Sequence, residues 1–258
     1  MEQTRHSQSI SPTILSSAEH FFHTPADPIA CVVLLGPPGC GKGTQGRLIS
    51  ESLGIPLISS GEILRTNVRQ RTMLGLQAQK SMESGALVSD EIILQMLRWR
   101  VLESDCTRGF VLDGVPRSTR QAEFLETELF GSDRRQIPFV VVKLEMDDQS
   151  LIKRITGRRV CLLCGATYNL ETNPPLMRGK CDSDLSDLVQ RSDDSVEVFR
   201  KRLNEYRATS SRILSYLSLR HGEIPEIACN RPIEHITSEL LEVIRGSIEK
   251  PVLEAEVL

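Results

Sequence analysis

Gly36-Pro37-Pro38-Gly39-Cys40-Gly41-Lys42-Gly43-Thr44 is the stretch that decides how this chain of 258 residues folds. It follows an apolar, β-like run, Ile29 to Leu35, and precedes a helical pattern over Gln45 to Leu53. A strand, a glycine-rich loop ending in Gly-Lys and a helix start together form a phosphate cradle. Backbone N–H groups converge on phosphate oxygens, the helix N-terminus adds partial positive charge, and Lys42 reaches the outer phosphates. The loop departs from the strict pattern in one respect. Gly43 stands where Ser or Thr normally follows the lysine, and Thr44 comes one residue late, so the hydroxyl that usually ligates Mg²⁺ is out of register.

Outside the loop, the composition is that of an ordinary globular protein, 40% hydrophobic and 25% charged. That is enough for one large domain with insertions or two small ones. Aromatics make up only 4%, which argues against a stacking surface for single-stranded nucleic acid, and the net charge of −3 gives no sign of a polyanion-binding face. No apolar run approaches the ~18 residues needed to span a bilayer, so no membrane role is expected. Cys31, Cys40, Cys106 and Cys229 are scattered, whereas Cys161, Cys164 and Cys181 cluster. That usage fits a reducing cytoplasm and one metal site. Residues 1–27, rich in Ser, Thr and His, lack the features of a secretory or mitochondrial leader and are expected to be a disordered extension. Residues 28–250 would form the core and 251–258 a tail.

Strand-like runs at Ile29–Leu35, Pro56–Ser59, Phe110–Leu112, Phe139–Leu144 and Glu226–Ala228 alternate with helical patterns. The helices are strongest over Ile92–Leu102 and Val196–Leu219. This predicts an α/β fold with a five-stranded parallel sheet flanked by helices. Two stretches interrupt the alternation, 59–88 and 157–194. Insertions above the carboxyl ends of parallel strands are where substrate-handling lids sit.

Phe110-Val111-Leu112 ends at Asp113. An acid ending a buried strand beside a phosphate loop is a natural outer partner for Mg²⁺, and with Thr44 out of register the ion is expected to rest mainly on nucleotide phosphates and water. The competing reading of Asp113 is a carboxylate capping a turn. Arg65, Arg117, Arg154, Arg158, Arg191 and Arg202 form a set whose bidentate guanidinium groups suit a transferring phosphoryl group. An alcohol acceptor needs a base for its proton, whereas a phosphate monoester is already largely ionised. Arginines, one well-placed acid and no candidate catalytic His therefore favour a phosphate acceptor. Cys161-Leu162-Leu163-Cys164, followed by Cys181-Asp182-Ser183-Asp184, has structural zinc spacing, with Asp184 where a fourth Cys is common. A metal-free lid held by hydrogen bonds, or a disulfide, is the competing reading.

These motifs occur in a distinctive order. GPPGCGKGTQ at Gly36–Gln45, ISSGEILR at Ile58–Arg65, GALVSDE at Gly85–Glu91 and DGVPRSTRQ at Asp113–Gln121 come first. GRRVC at Gly157–Cys161, RSDDS at Arg191–Ser195 and RKRL at Arg200–Leu203 complete the set. From about Pro28 to beyond Pro232 the chain resembles bacterial adenylate kinases of the long-lid type, with a zinc lid of three cysteines and one aspartate. The resemblance implies the P-loop nucleoside-monophosphate-kinase fold, with an NMP-binding insertion at 59–88 and a LID insertion at 157–194. It implies reversible, Mg²⁺-dependent transfer of the ATP γ-phosphoryl group to AMP, giving two ADP, in a monomer whose lid closes over both nucleotides.

Site roles follow from the same resemblance. Gly39, Cys40, Gly41, Lys42, Gly43 and Thr44 would bind ATP phosphates, with Lys42 catalytic and Asp113 supporting the metal. Arg154 would stack on the ATP adenine, with Thr167 and Tyr168 nearby, and Arg231 would contact that base through its backbone. Ser60, Arg65, the backbone of Ala86, Leu87 and Val88, then Gly114, Val115, Pro116, Arg117 and Gln121 would bind AMP, Gln121 reading adenine. Arg117, Arg158, Arg191 and Arg202 would surround the transferring group, with Asp193 and Asp194 as their hinge acids. Cys161, Cys164, Cys181 and Asp184 would hold structural Zn²⁺. Ser60 replaces the family's usual Thr, Val115 its usual Phe and Glu62 its usual Asp, changes that bear on AMP affinity and not on the reaction. A kinase using GTP as donor, and a non-catalytic nucleotide-binding module, are the alternatives.

Overall fold

The computed structural model describes residues 29–84, 86–130 and 137–249. The expectations for 1–27 and 251–258, and the first residue of the 85–91 motif, lie outside them. The first strand, β1 (Ala30–Leu35), is buried at every position, as expected of a strand covered on both faces. Gly41, in the left-handed conformation at φ 107°, turns the chain directly into α1 (Lys42–Leu53). The helix therefore starts three residues before the expected Gln45, because the turn is made by glycine geometry and not by apolar periodicity. Strand β2 (Leu57–Ser59) leads into α2 (Ser60–Arg69), α3 (Met73–Glu83) and α4 (Asp90–Val101). Pro56 precedes the strand and still joins the ladder by its carbonyl, which accepts from Val111 N at 2.9 Å.

Strand β3 (Gly109–Asp113) is followed by α5 (Thr119–Phe124), which continues as a π-helical turn over Leu125–Phe130. Next come β4 (Phe139–Glu145) and α6 (Asp148–Gly157). The side chain of Asp147 accepts from Ser150 N and caps α6, a contribution of about 1 kcal/mol for such a residue. Three short strands follow, β5 (Arg158–Cys161), β6 (Thr167–Asn169) and β7 (Leu188–Val189). The 26-residue α7 (Val196–His221), β8 (Glu226–Ala228) and α8 (Ile233–Ile248) close the order.

The main sheet runs β2-β3-β1-β4-β8 with every pairing parallel, as expected. Period-two alternation divides β1 between two cores. Cys31, Val33 and Leu35 face Phe110, Leu112 and Leu97, while Ala30, Val32 and Leu34 face Ile49, Val142 and Leu240. With both faces covered, only the strand ends are open. The carboxyl ends of β1, β2 and β3 deliver Gly36, Ser60 and Asp113 to one rim, above which stand α2–α3 and the separate antiparallel sheet β6-β5-β7.

Candidate active site

At that rim lies a cavity of about 600 Å³. Its floor is the loop from Gly36 to Thr44. A Cβ at Gly36 would come within 2.6 Å of the Leu144 carbonyl, at φ +146°, so only glycine lets the loop leave the strand this close to β4. Lys42 Nζ lies over the loop and donates to the carbonyls of Gly36 and Pro37, each at 2.8 Å. Arg154 reaches in from α6 and donates to Cys40 O at 3.3 Å and Cys229 O at 2.8 Å, tying the loop to the end of β8. Asp113 stands across from the off-register glycine: a Cβ at Gly43 would lie 3.5 Å from Asp113 Oδ2, which accepts from Ser59 Oγ at 3.2 Å. The room next to this acid is therefore left by the residue that departs from the usual loop. Asp113 fits the outer partner of a magnesium ion that arrives with a nucleotide and keeps several waters, the habit of that small, slowly dehydrating cation.

The opposite wall is cationic. Arg65, Arg117, Arg158, Arg191 and Arg202 all line the cavity. Each acid among them has an assigned partner. Asp194, fully buried, accepts from Arg158 Nε at 2.8 Å and, through its other oxygen, from Arg158 Nη2. Asp193 pairs with Arg202 at 2.8 Å. Glu62 bridges Arg65 at 2.7 Å and Arg191 at 2.6 Å, joining α2 to the turn before α7. Burial acts to raise the carboxyls of Glu62 and Asp193, and the surrounding guanidinium groups overcome it and hold both below their ordinary values. For Arg117, open to the cavity yet enclosed by its walls, burial and then the like charge of Arg202 push the guanidinium down to about 10. Burial, then Arg65 and Arg158, do the same to Arg191, also about 10, and burial lowers Arg202. All remain charged at neutral pH. Cations crowded past the capacity of their acids favour a multiply charged anion.

The three-stranded sheet carries the metal-ligand cluster. One ligand atom from each of Cys161, Cys164, Cys181 and Asp184 lies within 4.8 Å of the others. Zinc–sulfur bonds of about 2.3 Å at tetrahedral angles separate ligands by about 3.8 Å, so the set fits a structural zinc ion. Leu163 N and Cys164 N both donate to Cys161 Sγ at 3.3 Å, which orients the sulfur inward. Besides these ligands, only Tyr168, Ala166 and Leu188 make up the small apolar cluster beneath, too little to hold the segment by burial alone.

The comparisons with known proteins agree with this geometry. The family model described as adenylate kinase matches residues 34–221. The chain is 38% identical over 213 residues to an adenylate kinase of Clostridium botulinum, covering 83% of this chain and 97% of the relative. It is 41% identical over 215 residues to one from Caldanaerobacter subterraneus, covering 83% and 96%. A third, from Geotalea uraniireducens, is 41% identical over 216 residues, covering 84% and 98%. The chain belongs to the adenylate kinase family. It is a phosphotransferase of the nucleoside-monophosphate-kinase type.

Of the nucleotide-site residues expected from this family, all but one line the cavity. Arg231 does not: its side chain turns to Ala228 O and pairs with Glu239, and Ile233 and Glu234 line the wall instead. Two others carry commitments that spacing does not reveal. The Arg154 guanidinium is tied to the two carbonyls described above. The Tyr168 hydroxyl meets Cys181 Sγ at 3.5 Å and accepts from Asp182 N at 2.8 Å. Sequence reasoning missed the double bridge of Glu62 and the contribution of α7, where Glu205, Tyr206, Thr209 and Ser210 line the wall. An acid three residues before Arg65 on a helix was the one available signal for Glu62.

Proposed function

We propose that this adenylate kinase family member uses these residues to transfer the γ-phosphoryl group of ATP to AMP reversibly, giving two ADP and balancing adenine nucleotides. The observation that carries the assignment of roles is a single cavity containing both the phosphate loop and the Ser60–Gln121 wall, together with the arginine set. The loop from Gly39 to Thr44 would take the donor phosphates, with Lys42 Nζ leaving its carbonyl partners for phosphate oxygens. Arg154, Thr167 and Tyr168 would flank the donor base. Ser60, Arg65, the 86–88 backbone, Gly114 to Arg117 and Gln121 would hold the acceptor. Arg117, Arg158, Arg191 and Arg202 would take up charge on the group in flight, the dominant task in phosphoryl transfer.

No base is required, because the acceptor oxygen belongs to an ionised phosphate; consistent with this, no histidine lines the cavity among the described residues. Magnesium, when bound with ATP, would neutralise phosphate charge while resting mainly on phosphates and water, with Asp113 as its outer protein partner. The segments 59–88 and 157–194 would act as covers. Two contacts support that role, Glu62 with Arg191 and the Arg47 guanidinium with Gly165 O at 3.2 Å, each joining a cover to another part of the chain. Zinc on Cys161, Cys164, Cys181 and Asp184 would stiffen the second cover. An odd number of cysteines, three of them clustered and with no secretory framework, supports a reducing, cytoplasmic setting, and the family supports a monomer. No helix among the described residues is long and apolar enough to cross a membrane.

A nucleotide panel tests this reading. With ATP and GTP as donors against AMP, CMP, UMP and GMP as acceptors, the ATP–AMP pair should have the highest kcat/KM. A faster GTP reaction, or turnover indifferent to the acceptor, would overturn it.

A further inference from the structure

The amide of Gln121 is gripped from both sides. Its Oε1 accepts from the backbone N–H of Arg117 at 2.7 Å, and its Nε2 donates to Asp90 Oδ1 at 2.7 Å. The other carboxylate oxygen of Asp90 accepts from Ser118 Oγ at 2.8 Å, and Ser118 Oγ itself accepts from Gln121 N at 3.1 Å as the cap of α5. Gln121 is 3% exposed, so water does not compete for these bonds, yet it lines the cavity.

The chemistry of the two neighbours fixes which way the amide faces. A main-chain N–H only donates and a carboxylate only accepts. Turned by half a rotation, the amide would set its NH₂ against the Arg117 N–H and its oxygen against Asp90, losing both bonds and adding two repulsions. An amide carries two N–H groups and two lone pairs. One of each is engaged, which leaves one N–H and one lone pair whose order along the amide is fixed. Adenine presents an amino donor next to the N1 acceptor, and an amide meets that edge in one orientation only. A 6-oxopurine presents a carbonyl acceptor next to an N1–H donor, the reverse order, and would need the amide turned.

We propose that Asp90 is a positioning residue that sets the acceptor-base specificity of the site, by locking the Gln121 amide in the order that admits adenine and rejects 6-oxopurines. The proposal rests on the reading that Gln121 faces the acceptor base. Asp90 is the first residue of α4, two positions after the 86–88 stretch, and so ties one wall of the acceptor site to the other. The plainer role for Asp90, an acid favoured by the helix N-terminus, predicts loss of stability but no change in discrimination.

The test compares AMP with IMP, which differ only at that edge, as acceptors from ATP. Asp90→Ala should lower the AMP-to-IMP ratio of kcat/KM about tenfold to a hundredfold, the range for losing one hydrogen bond to a charged group. The KM for AMP should rise and that for ATP stay unchanged. Asp90→Asn keeps one acceptor oxygen for Gln121 and should fall between, and it carries the same test if the alanine variant does not fold. Gln121→Ala separates the two layers of the argument. A collapsed ratio in Gln121→Ala with an unchanged ratio in the Asp90 variants, or an equal loss for both acceptors, overturns the locking role and leaves the base reading standing. A wild-type ratio in Gln121→Ala overturns both.

Discussion

Asp194→Asn probes the pairing that fixes Arg158 at the cavity. The carboxylate is fully buried in the short turn before α7 and takes both donors of the guanidinium edge, while Arg158 keeps 18% exposure. Asparagine preserves the shape but turns one acceptor oxygen into an NH₂ facing a donor. The loss of one charge-assisted hydrogen bond is about 1.5–3 kcal/mol, and a fully broken buried pair reaches about 3–5 kcal/mol. Because Arg158 can still reach water and asparagine keeps one acceptor, the cost should be about 2–3 kcal/mol. For a chain of this size each kcal/mol moves Tm by about 2–4 °C, so the midpoint should fall by about 4–12 °C. A second effect should appear at temperatures where the variant is folded. Arg158 is no longer held at the transferring group, so kcat should fall about tenfold or more while the KM values change less, as for an interaction made in the transition state. Thermal melts and a coupled assay for ADP measure the two effects. A variant with wild-type Tm and wild-type kcat would show that Asp194 neither stabilises the fold nor positions Arg158.

Cys181→Ser should release zinc, measured by metal analysis, and lower Tm by several degrees while leaving turnover at moderate temperature within about twofold, because a structural ion acts through folding. A variant that keeps its Tm and loses chemistry would contradict that role. Asp193 has a depressed carboxyl in the folded chain, so its contribution is present above the ordinary value of 3.8 and lost as pH falls through the lower folded value. Melts against pH should therefore show an acid limb below pH 3.8, which Asp193→Asn flattens; an unchanged limb would contradict the sign. Gly114 has φ +84°, and a Cβ there would lie 2.7 Å from Ser60 Oγ. Gly114→Ala should cost about 1–2 kcal/mol in a left-handed conformation and raise the KM for AMP with little change for ATP. Equal effects on both nucleotides would place Gly114 outside the acceptor wall.

The central sheet was legible because parallel strands covered on both faces read as apolar runs, unbroken in β1 and reaching from Phe139 to Val142 in β4. The phosphate loop was legible because its glycines are demanded by close backbone approach. The sheet β6-β5-β7 was not, since strands of two to four residues are too short for periodicity and are organised by the cysteine cluster. The π-helical turn after α5 likewise leaves no trace in residue spacing. Within the cavity, residue types pointed to the arginines, but partnerships did not follow from type. Glu62 and Arg191 are 129 positions apart and Asp90 and Gln121 31, so only the fold brings them together. The partner of the Arg231 side chain, Glu239 on α8, was likewise not legible from the motif, which bears only on the backbone there.

By the proposed function, arginines and one loop lysine move a phosphoryl group between two nucleotides held in one cavity. Phosphorus NMR of the purified chain with ATP, AMP and Mg²⁺ tests it most directly, with Lys42→Met as the control. Two ADP should form for each ATP consumed, ATP should persist when AMP is omitted, and turnover should be almost completely lost in the variant. Release of inorganic phosphate from ATP without AMP, or undiminished ADP formation by Lys42→Met, would contradict it.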